Sequence, residues 1–406
     1  MRFNRSEPEP QARLWRLFPL LLALATTNCK ESKGVEAGAK NDGADKNIAA
    51  ASPDPAGAGN SSYGKAGDPV KLVIGYQPYY TEAWSAAVMR EKKFYEKYLP
   101  KGSTVEFQIG LQGTIIVNNM LAGKQSIGYM GDMPSIVATT KSDTADLRIV
   151  ATLGLAQDQC NIFLTRNDAP AFPDAKAAVR WLDKKQVASP KGSCTDRFAQ
   201  TTFQKQGIEP AAYLNQNIEV ITSSFRANKI DAAVIWEPVA SRLVADGLAK
   251  RVASGANLNE TDAGYLVFRA DLLKQRPDIA SAWLEAELDA QLFLADEENA
   301  AEVVRIVKAQ TSGFSEKALW YALYGRYPDQ GDKKERITLP FAITPESKAH
   351  LEGATAFLHS VKAINAGKLR PEAVVPELTQ AVLEKRGLKA PIGSVDTLPS
   401  EKAPKG

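Results

Sequence analysis

The chain is poor in the residues that most enzyme and metal chemistry relies on: of 406 residues only two are His and three are Cys. His350 and His359 fall in predicted C-terminal helices, far from every cysteine, so a Cys/His zinc site has no ligand set at a workable spacing. The sequence contains no Cys-x-x-Cys pair, no Gly-x-Ser-x-Gly elbow and no Walker-type phosphate loop. Redox, hydrolase and nucleotide chemistry therefore lack their usual carriers. Net charge is also nearly absent: 50 basic against 47 acidic residues leave +3, with no Lys/Arg stripe to track a phosphate backbone, which argues against a nucleic-acid partner. The uncharged run Leu17 to Thr27 falls short of the roughly 20 apolar residues of a membrane-spanning helix.

With 44% hydrophobic and 24% charged residues, the chain has material for a sizeable core, and its length suggests two or three domains. Arg2, Arg5, Arg13 and Arg16 precede the run Leu17 to Thr27, which ends at Asn28-Cys29. That is the layout of a secretion signal, and it predicts export. A cysteine directly after such a run resembles a bacterial lipoprotein signal, which implies Cys29 as the lipid-bearing residue. Thr26, Thr27 and Asn28 stand where a lipobox prefers a Leu-Ala-Gly-like triplet, so cleavage to a soluble protein is the alternative. Residues 30–68 are almost all small, polar or proline, too poor in large apolar groups to offset the entropy of ordering, and are read as a tether. If Cys29 is lipidated, Cys160 and Cys194 remain as an even pair in an oxidising compartment. A disulfide between them is then expected, with two thiols that never meet as the alternative.

From Val70 short apolar runs alternate with amphipathic helices, an α/β pattern. Strands are predicted at 70–75, 104–109, 126–130, 147–153, 161–165, 186–189, 218–221, 230–235 and 265–268. Helices are predicted at 82–98, from Thr114 through Leu121, at 176–183, after Gly192, and at 277–295, 300–310, 315–324, 345–364 and 371–386. The Pro- and Lys-rich segment 388–406 reads as a disordered tail.

Four segments carry a resemblance: Ile74-Gly-Tyr-Gln-Pro-Tyr-Tyr80, Leu121-Ala-Gly-Lys-Gln-Ser-Ile-Gly-Tyr-Met-Gly-Asp-Met-Pro134, Val187-Ala-Ser-Pro-Lys-Gly-Ser-Cys-Thr195 and Lys229-Ile-Asp-Ala-Ala-Val-Ile-Trp-Glu-Pro238. Together and in this order they resemble the nitrate, taurine and aliphatic-sulfonate group of solute-binding proteins. The resemblance implies an α/β fold of the type II periplasmic-binding-protein class, two doubly wound lobes joined by two hinge strands with ligand between them. It implies residues 69–157 and 265–387 as one lobe and 158–264 as the other. It also implies a monomer in the periplasm or cell envelope, a small anionic or zwitterionic ligand, and an ABC permease with a cytoplasmic ATPase as partners. No cofactor and no reaction follow from it. A pyrimidine-synthase-like enzyme and a lipoprotein that binds another protein are the alternatives on the same fold.

Each motif lies where a strand gives way to a helix, the place where open α/β sheets bind ligands. After the first strand come Gln77, Tyr79 and Tyr80; at least one of the two tyrosines is expected to face ligand, while Trp84 is expected on the buried face of its helix. Gln112, Gly113 and Thr114 open the next helix. Gly131 and Asp132 make a turn in which Asp132 either caps a helix or bonds to ligand or to the opposite lobe. Ser193, Cys194 and Thr195 cradle an anionic head group or simply cap their helix. Cys194 stands where the family commonly has serine. Gln159 lies beside Cys160 at the entry to the second lobe. Trp236 and Glu237 end a strand, with Glu237 either paired across the lobes, for which Arg197 and Arg226 are candidate counter-charges, or offered to a cationic ligand group.

Overall fold

The computed structural model describes residues 62–327 and 333–404. Cys29, the signal-like segment and the greater part of the tether lie outside the described residues.

Two sheets organise the chain. The first is built from β1 (Lys71–Tyr76), β2 (Thr104–Ile109), β3 (Ile127–Gly131) and β4 (Leu147–Ala156). The second contains β5 (Ile162–Arg166), β6 (Gln186–Ser189), β7 (Ala212–Asn215), β8 (Ala232–Ile235) and β9 (Ala249–Ser254). β10 (Asp262–Arg269), β11 (Glu335–Leu339) and β12 (Gly393–Asp396) return to the first. The orders are β12-β11-β4-β10-β3-β1-β2 and β7-β6-β8-β5-β9.

Both sheets repeat one scheme: three parallel strands, β2-β1-β3 and β7-β6-β8, flanked by an antiparallel fourth, β10 or β5. The chain passes between sheets twice, from β4 to β5 and from β9 to β10. β4 and β10 are antiparallel neighbours, so the two crossings lie side by side. This is a two-lobed α/β fold.

Burial explains the strands. All eight residues of β10 and all four of β8 are buried, as expected for strands covered on both faces. β1 buries Leu72, Ile74 and Tyr76 in alternation. Trp84 is fully buried and its indole donates to the Pro78 carbonyl at 2.9 Å.

Four sequence expectations are corrected. The helix predicted over 82–98 is interrupted at Lys93, whose φ of 54° is left-handed and cannot continue a right-handed turn. Ile218–Arg226 is a helix and not a strand: Asn217 caps it by accepting from the Val220 amide, and Ile218, Ile221, Thr222 and Phe225 fall on one buried face. The short β-branched run imitated a strand. The segment after Gly387 is not structureless, since β12 pairs with β11 along the sheet edge. The last residues of the predicted tether are also packed: Tyr63 is buried, its hydroxyl bonds Asp271 at 3.3 Å, and Arg276 donates to its carbonyl at 2.7 Å.

Among the described residues no helix is long and apolar enough to cross a membrane.

Candidate functional site

A cavity of about 40 Å³ lies where strand ends from both sheets meet. Its lining follows the carboxyl ends of five strands: Gln77 and Tyr80 after β1, Gln112, Gly113 and Thr114 after β2, Gly131 at the end of β3, Pro190 to Cys194 after β6, and Trp236 after β8. Pro134 completes it.

Three helices begin on this cavity: Gly113–Leu121, Asp132–Thr139 and Cys194–Gln206. Their lining residues are caps and first-turn positions, where backbone N–H groups have no carbonyl of the helix behind them. Each N-terminus carries about half a positive charge. Three of them aimed at one cavity make an anion cradle from backbone alone. Lys191 adds a formal charge at the exposed rim. Gln77 is only 5% exposed, lines the cavity, and its side-chain amide has no partner among the described residues. Its amide atoms are open to the cavity and are free to meet a ligand or ordered water there.

Other polar groups of the lining are already committed. The Ser193 hydroxyl donates to the Pro190 carbonyl at 2.6 Å and accepts from the Asp196 amide, so it does cap its helix. The Trp236 indole donates to the Tyr79 carbonyl at 2.8 Å, a bond from the second sheet to the loop after β1. The Tyr80 hydroxyl donates to the Glu82 carboxyl.

Nine of the sequence candidates therefore share the cavity wall, and five stand behind it. Tyr79 turns away, packing on Phe314 at 5.8 Å between ring centres and bonding Ser312. Gln159 is fully buried and accepts from Thr81 at 2.7 Å. Thr195 is fully buried and bonded to Ser189 and Ser193. Asp132 is fully buried, 2.8 Å from His350 and 3.4 Å from Arg197 of the second lobe. Its reading as a partner of the opposite lobe is the one this geometry matches. Burial works to raise the Asp132 pKa, but the Arg197 charge, the His350 bond and the Met133 amide outweigh it and hold the carboxyl below its ordinary value.

Glu237 does not line the cavity. It is fully buried, accepts from Arg251 at 2.9 Å and from the Ser241 amide at 2.9 Å, and burial pushes it up to about 7 against the pull of Arg251 and Arg336. Arg226 is mostly exposed and reaches Asp246 instead, at 3.7 Å. Sequence reasoning missed Arg251, Arg336 and His350, because nothing local to a β9, β11 or late-helix position signals a partner far away in the chain. Lys191, Gly192 and Pro134 were within reach, since all three sit inside quoted motifs.

Cys160 and Cys194 form a disulfide, with Cα atoms 6.1 Å apart. It ties the first residue of a cradle helix to the first crossing between the sheets. Among the described residues no group of three or more His, Cys, Asp or Glu is placed to hold a metal ion.

Comparison with known proteins gives a consistent picture. A protein named for aliphatic sulfonate binding in Escherichia coli (strain K12) is 26% identical over 207 residues, half of this chain and 60% of that protein, so the chain spans less than two thirds of that relative's length. The solved alkanesulfonate-binding protein SsuA of Xanthomonas axonopodis pv. citri, bound to MOPS, superposes with a TM-score of 0.60 at 19% identity, covering 76% of this chain and 99% of that one. The periplasmic nitrate-binding protein NrtA of Synechocystis PCC 6803 gives 0.63 at 16%, covering 84% and 92%. The fold also occurs in the desulfurization enzyme DSZB, at 0.57 and 17%, covering 78% and 99%. At these identities the structures speak for the fold alone. The NMT1-like family model matches residues 65–308, more than half of the sequence, and the chain belongs to that family.

Proposed function

We propose that this protein is the extracytoplasmic solute-binding component of an ABC importer, taking a small anionic or zwitterionic solute of the sulfonate, taurine or nitrate kind. The observation that carries this reading is the convergence of three helix N-termini and the unpartnered, buried Gln77 on one cavity between the sheets. Backbone dipoles stabilise an anion without a fixed counter-ion, and Gln77 offers both a donor and an acceptor. The relatives named for sulfonate and nitrate binding support the same class.

In this reading residues 69–157 and 265–387 form one lobe and 158–264 the other. Ligand favours the closed pair because it contacts both lobes at once, and the closed form is what a permease with its cytoplasmic ATPase receives. The protein acts as a monomer in the periplasm or cell envelope, held to the membrane if Cys29 is lipidated. In this reading the protein binds its solute and releases it unchanged, as the relatives named for binding support.

The experiment is a thermal-shift screen of purified protein against methanesulfonate, taurine, nitrate, carboxylates and amines. A ligand of the native state raises the midpoint in a dose-dependent way. A shift with anions and none with amines supports the reading, provided the compound is recovered unchanged. Turnover of the compound, or a shift with cations only, sinks it.

A further inference from the structure

Behind Tyr80 lies a carboxyl pair that the binding reading does not use. Glu82 and Asp262 are 2% and 0% exposed, and the Glu82 side chain lies over Gly154 and Gly264, on the face of β10 that Asp262 also occupies. Ionised carboxylates only accept and repel each other, so two of them side by side away from water call for a proton on one. The remaining oxygens divide their roles. One oxygen of Glu82 accepts from the Tyr80 hydroxyl, while Asp262 Oδ2 accepts from the amides of Cys160 and Asn161 at 2.9 and 3.2 Å. Glu82 Oε1 and Asp262 Oδ1 are buried with no hydrogen-bond partner among the described residues, which leaves one oxygen of each for a proton between them. The space is built for the pair: Gly154 and Gly264 are register partners in the β4–β10 ladder, and a Cβ on Gly264 would stand 3.1 Å from the Glu82 Cβ.

The location matters as much as the pairing. Glu82 follows the loop whose Gln77 and Tyr80 line the cavity, and that loop touches the second lobe through Trp236 and through the Thr81 amide on the Glu237 carbonyl. Asp262 opens β10 at the second crossing and grips the first crossing at Cys160, which is itself bonded to Cys194 on the cavity. The pair thus closes a ring of contacts running from cavity to crossings and back.

Resting on the binding reading above, we propose that one proton shared by Glu82 and Asp262 positions Tyr80 and its loop, so that solute binding is linked to that proton and weakens as pH rises. Loss of the proton would leave two facing carboxylates without water, and their repulsion would separate the loop from the crossing. The charged surroundings do not cancel this. Asp132 and Asp158 face the pair, but Asp132 is neutralised by Arg197 with His350 beside it, and Asp158 by Arg251 and Arg336. Tyr265 and Tyr80 complete the surroundings. Burial raises both carboxyls, and the Cys160 and Asn161 amides favour the charge on Asp262, which leaves Glu82 the better seat for the proton.

The test uses Glu82→Gln, which keeps an acceptor for Tyr80 and supplies an N–H donor to Asp262 without a proton to lose, and Asp262→Asn, which does the same from the other side. Methanesulfonate and nitrate are the probes, because neither titrates between pH 5.5 and 9. In the wild type the ligand-free melting temperature falls by about 2–4 °C per pH unit once the pair begins to ionise, and probe affinity falls by up to about tenfold per unit, the slope of one linked proton. Both variants flatten the affinity profile and make the melting profile shallower, leaving in it the part that Glu237 carries. Should Glu82→Gln keep the wild-type slopes while His350→Gln removes them, the His350–Asp132 bond carries the pH dependence and the proposal is overturned. Wild type that binds neither probe at any pH counts against the binding reading, and the difference in ligand-free melting slope between wild type and Glu82→Gln then decides the proton pair: equal slopes overturn it. If one variant does not fold, the other supplies the comparison.

Discussion

Replacing Gly113 by alanine should damage the cradle more than its surface-loop sequence context suggests. A Cβ at Gly113 would lie 2.4 Å from Cγ and 2.8 Å from Cβ of Pro134, with the Met130 Cβ at 3.4 Å. Ordinary carbon contacts start near 3.5 Å, so the two groups must move apart by about 1 Å. A proline ring has no rotamer through which to escape. Gly113 opens one cradle helix and Pro134 lies in the first turn of another, so the displacement widens the cradle itself. Overpacking of this kind costs about 1–3 kcal/mol of stability. The loss of one or two charge-assisted bonds, about 1.5–3 kcal/mol each, would weaken an anion by roughly 10- to 100-fold or more. Calorimetric titration with whichever anion stabilises the wild type, alongside a melting curve, measures both. Gly353→Ala is the internal control: nothing lies within 4 Å of its Cβ position inside the helix Pro345–Ser360, and alanine there should be neutral or stabilising by about 0.5–1 kcal/mol. A Gly113→Ala protein with wild-type melting and affinity would refute the close contact between the two helix starts.

Reducing the Cys160–Cys194 bond, or replacing Cys160 by alanine, should lower stability by about 3–4 kcal/mol on the loop-closure view, since the bridge spans 34 residues; melting with and without a phosphine reductant measures it. Arg251→Met leaves the buried carboxyls of Glu237 and Asp158 short of a cation and should cost about 3–5 kcal/mol in a denaturant titration, more at pH 8 than at pH 5 as Glu237 ionises. In the wild type, Glu237 itself, raised to about 7, contributes stability that is full below its unfolded value near 4.5 and is lost as pH rises through 7. Asp132 has the opposite sign: its pKa is lowered, so its contribution is present above the unfolded value near 3.8 and disappears as pH falls through the folded one, and Asp132→Asn should flatten the acid limb of the stability profile.

The parts of the fold that were legible in the sequence are those where local pattern and tertiary environment agree. β2, β6 and the helices Pro277–Ala295 and Ala300–Gln310 have the bounds that periodicity and capping predict. β7, β9, β11 and β12 escaped because each is four to six residues long and only partly buried, so its apolar signal is weak. The cavity wall was legible for a different reason: a strand end followed at once by a helix start is written locally, as in Gly131-Asp132 or Ser193-Cys194. What lies behind the wall was not. The partners of Asp132 are 65 and 218 positions away, at Arg197 and His350, and Glu82 meets Asp262 across 180 positions. No window of sequence contains both halves of such a contact.

Part of the seam between the lobes is made of directional polar contacts, beside apolar packing in which Val239, Ala240 and Leu243 join one buried cluster with Phe314, Leu319 and Trp320. Trp236 reaches the Tyr79 carbonyl, the Thr81 amide reaches the Glu237 carbonyl, the Thr81 hydroxyl reaches Gln159, and Arg197 reaches Asp132. Each such bond is exchanged for bonds to water on opening, so its net worth is about 0.5–1.5 kcal/mol, and the set is worth only a few kcal/mol. The apolar part of the seam behaves differently, because every 100 Å² of it adds about 2.5 kcal/mol with nothing to replace it in the open state. Moving an equilibrium from mostly open to mostly closed takes about 5.5 kcal/mol of differential binding. A small anion in a cradle of three helix starts can supply that much with three or four charge-assisted bonds. The polar bonds of the seam therefore cost little to exchange on opening, and they do not oppose the ligand-driven closure that the proposed function requires.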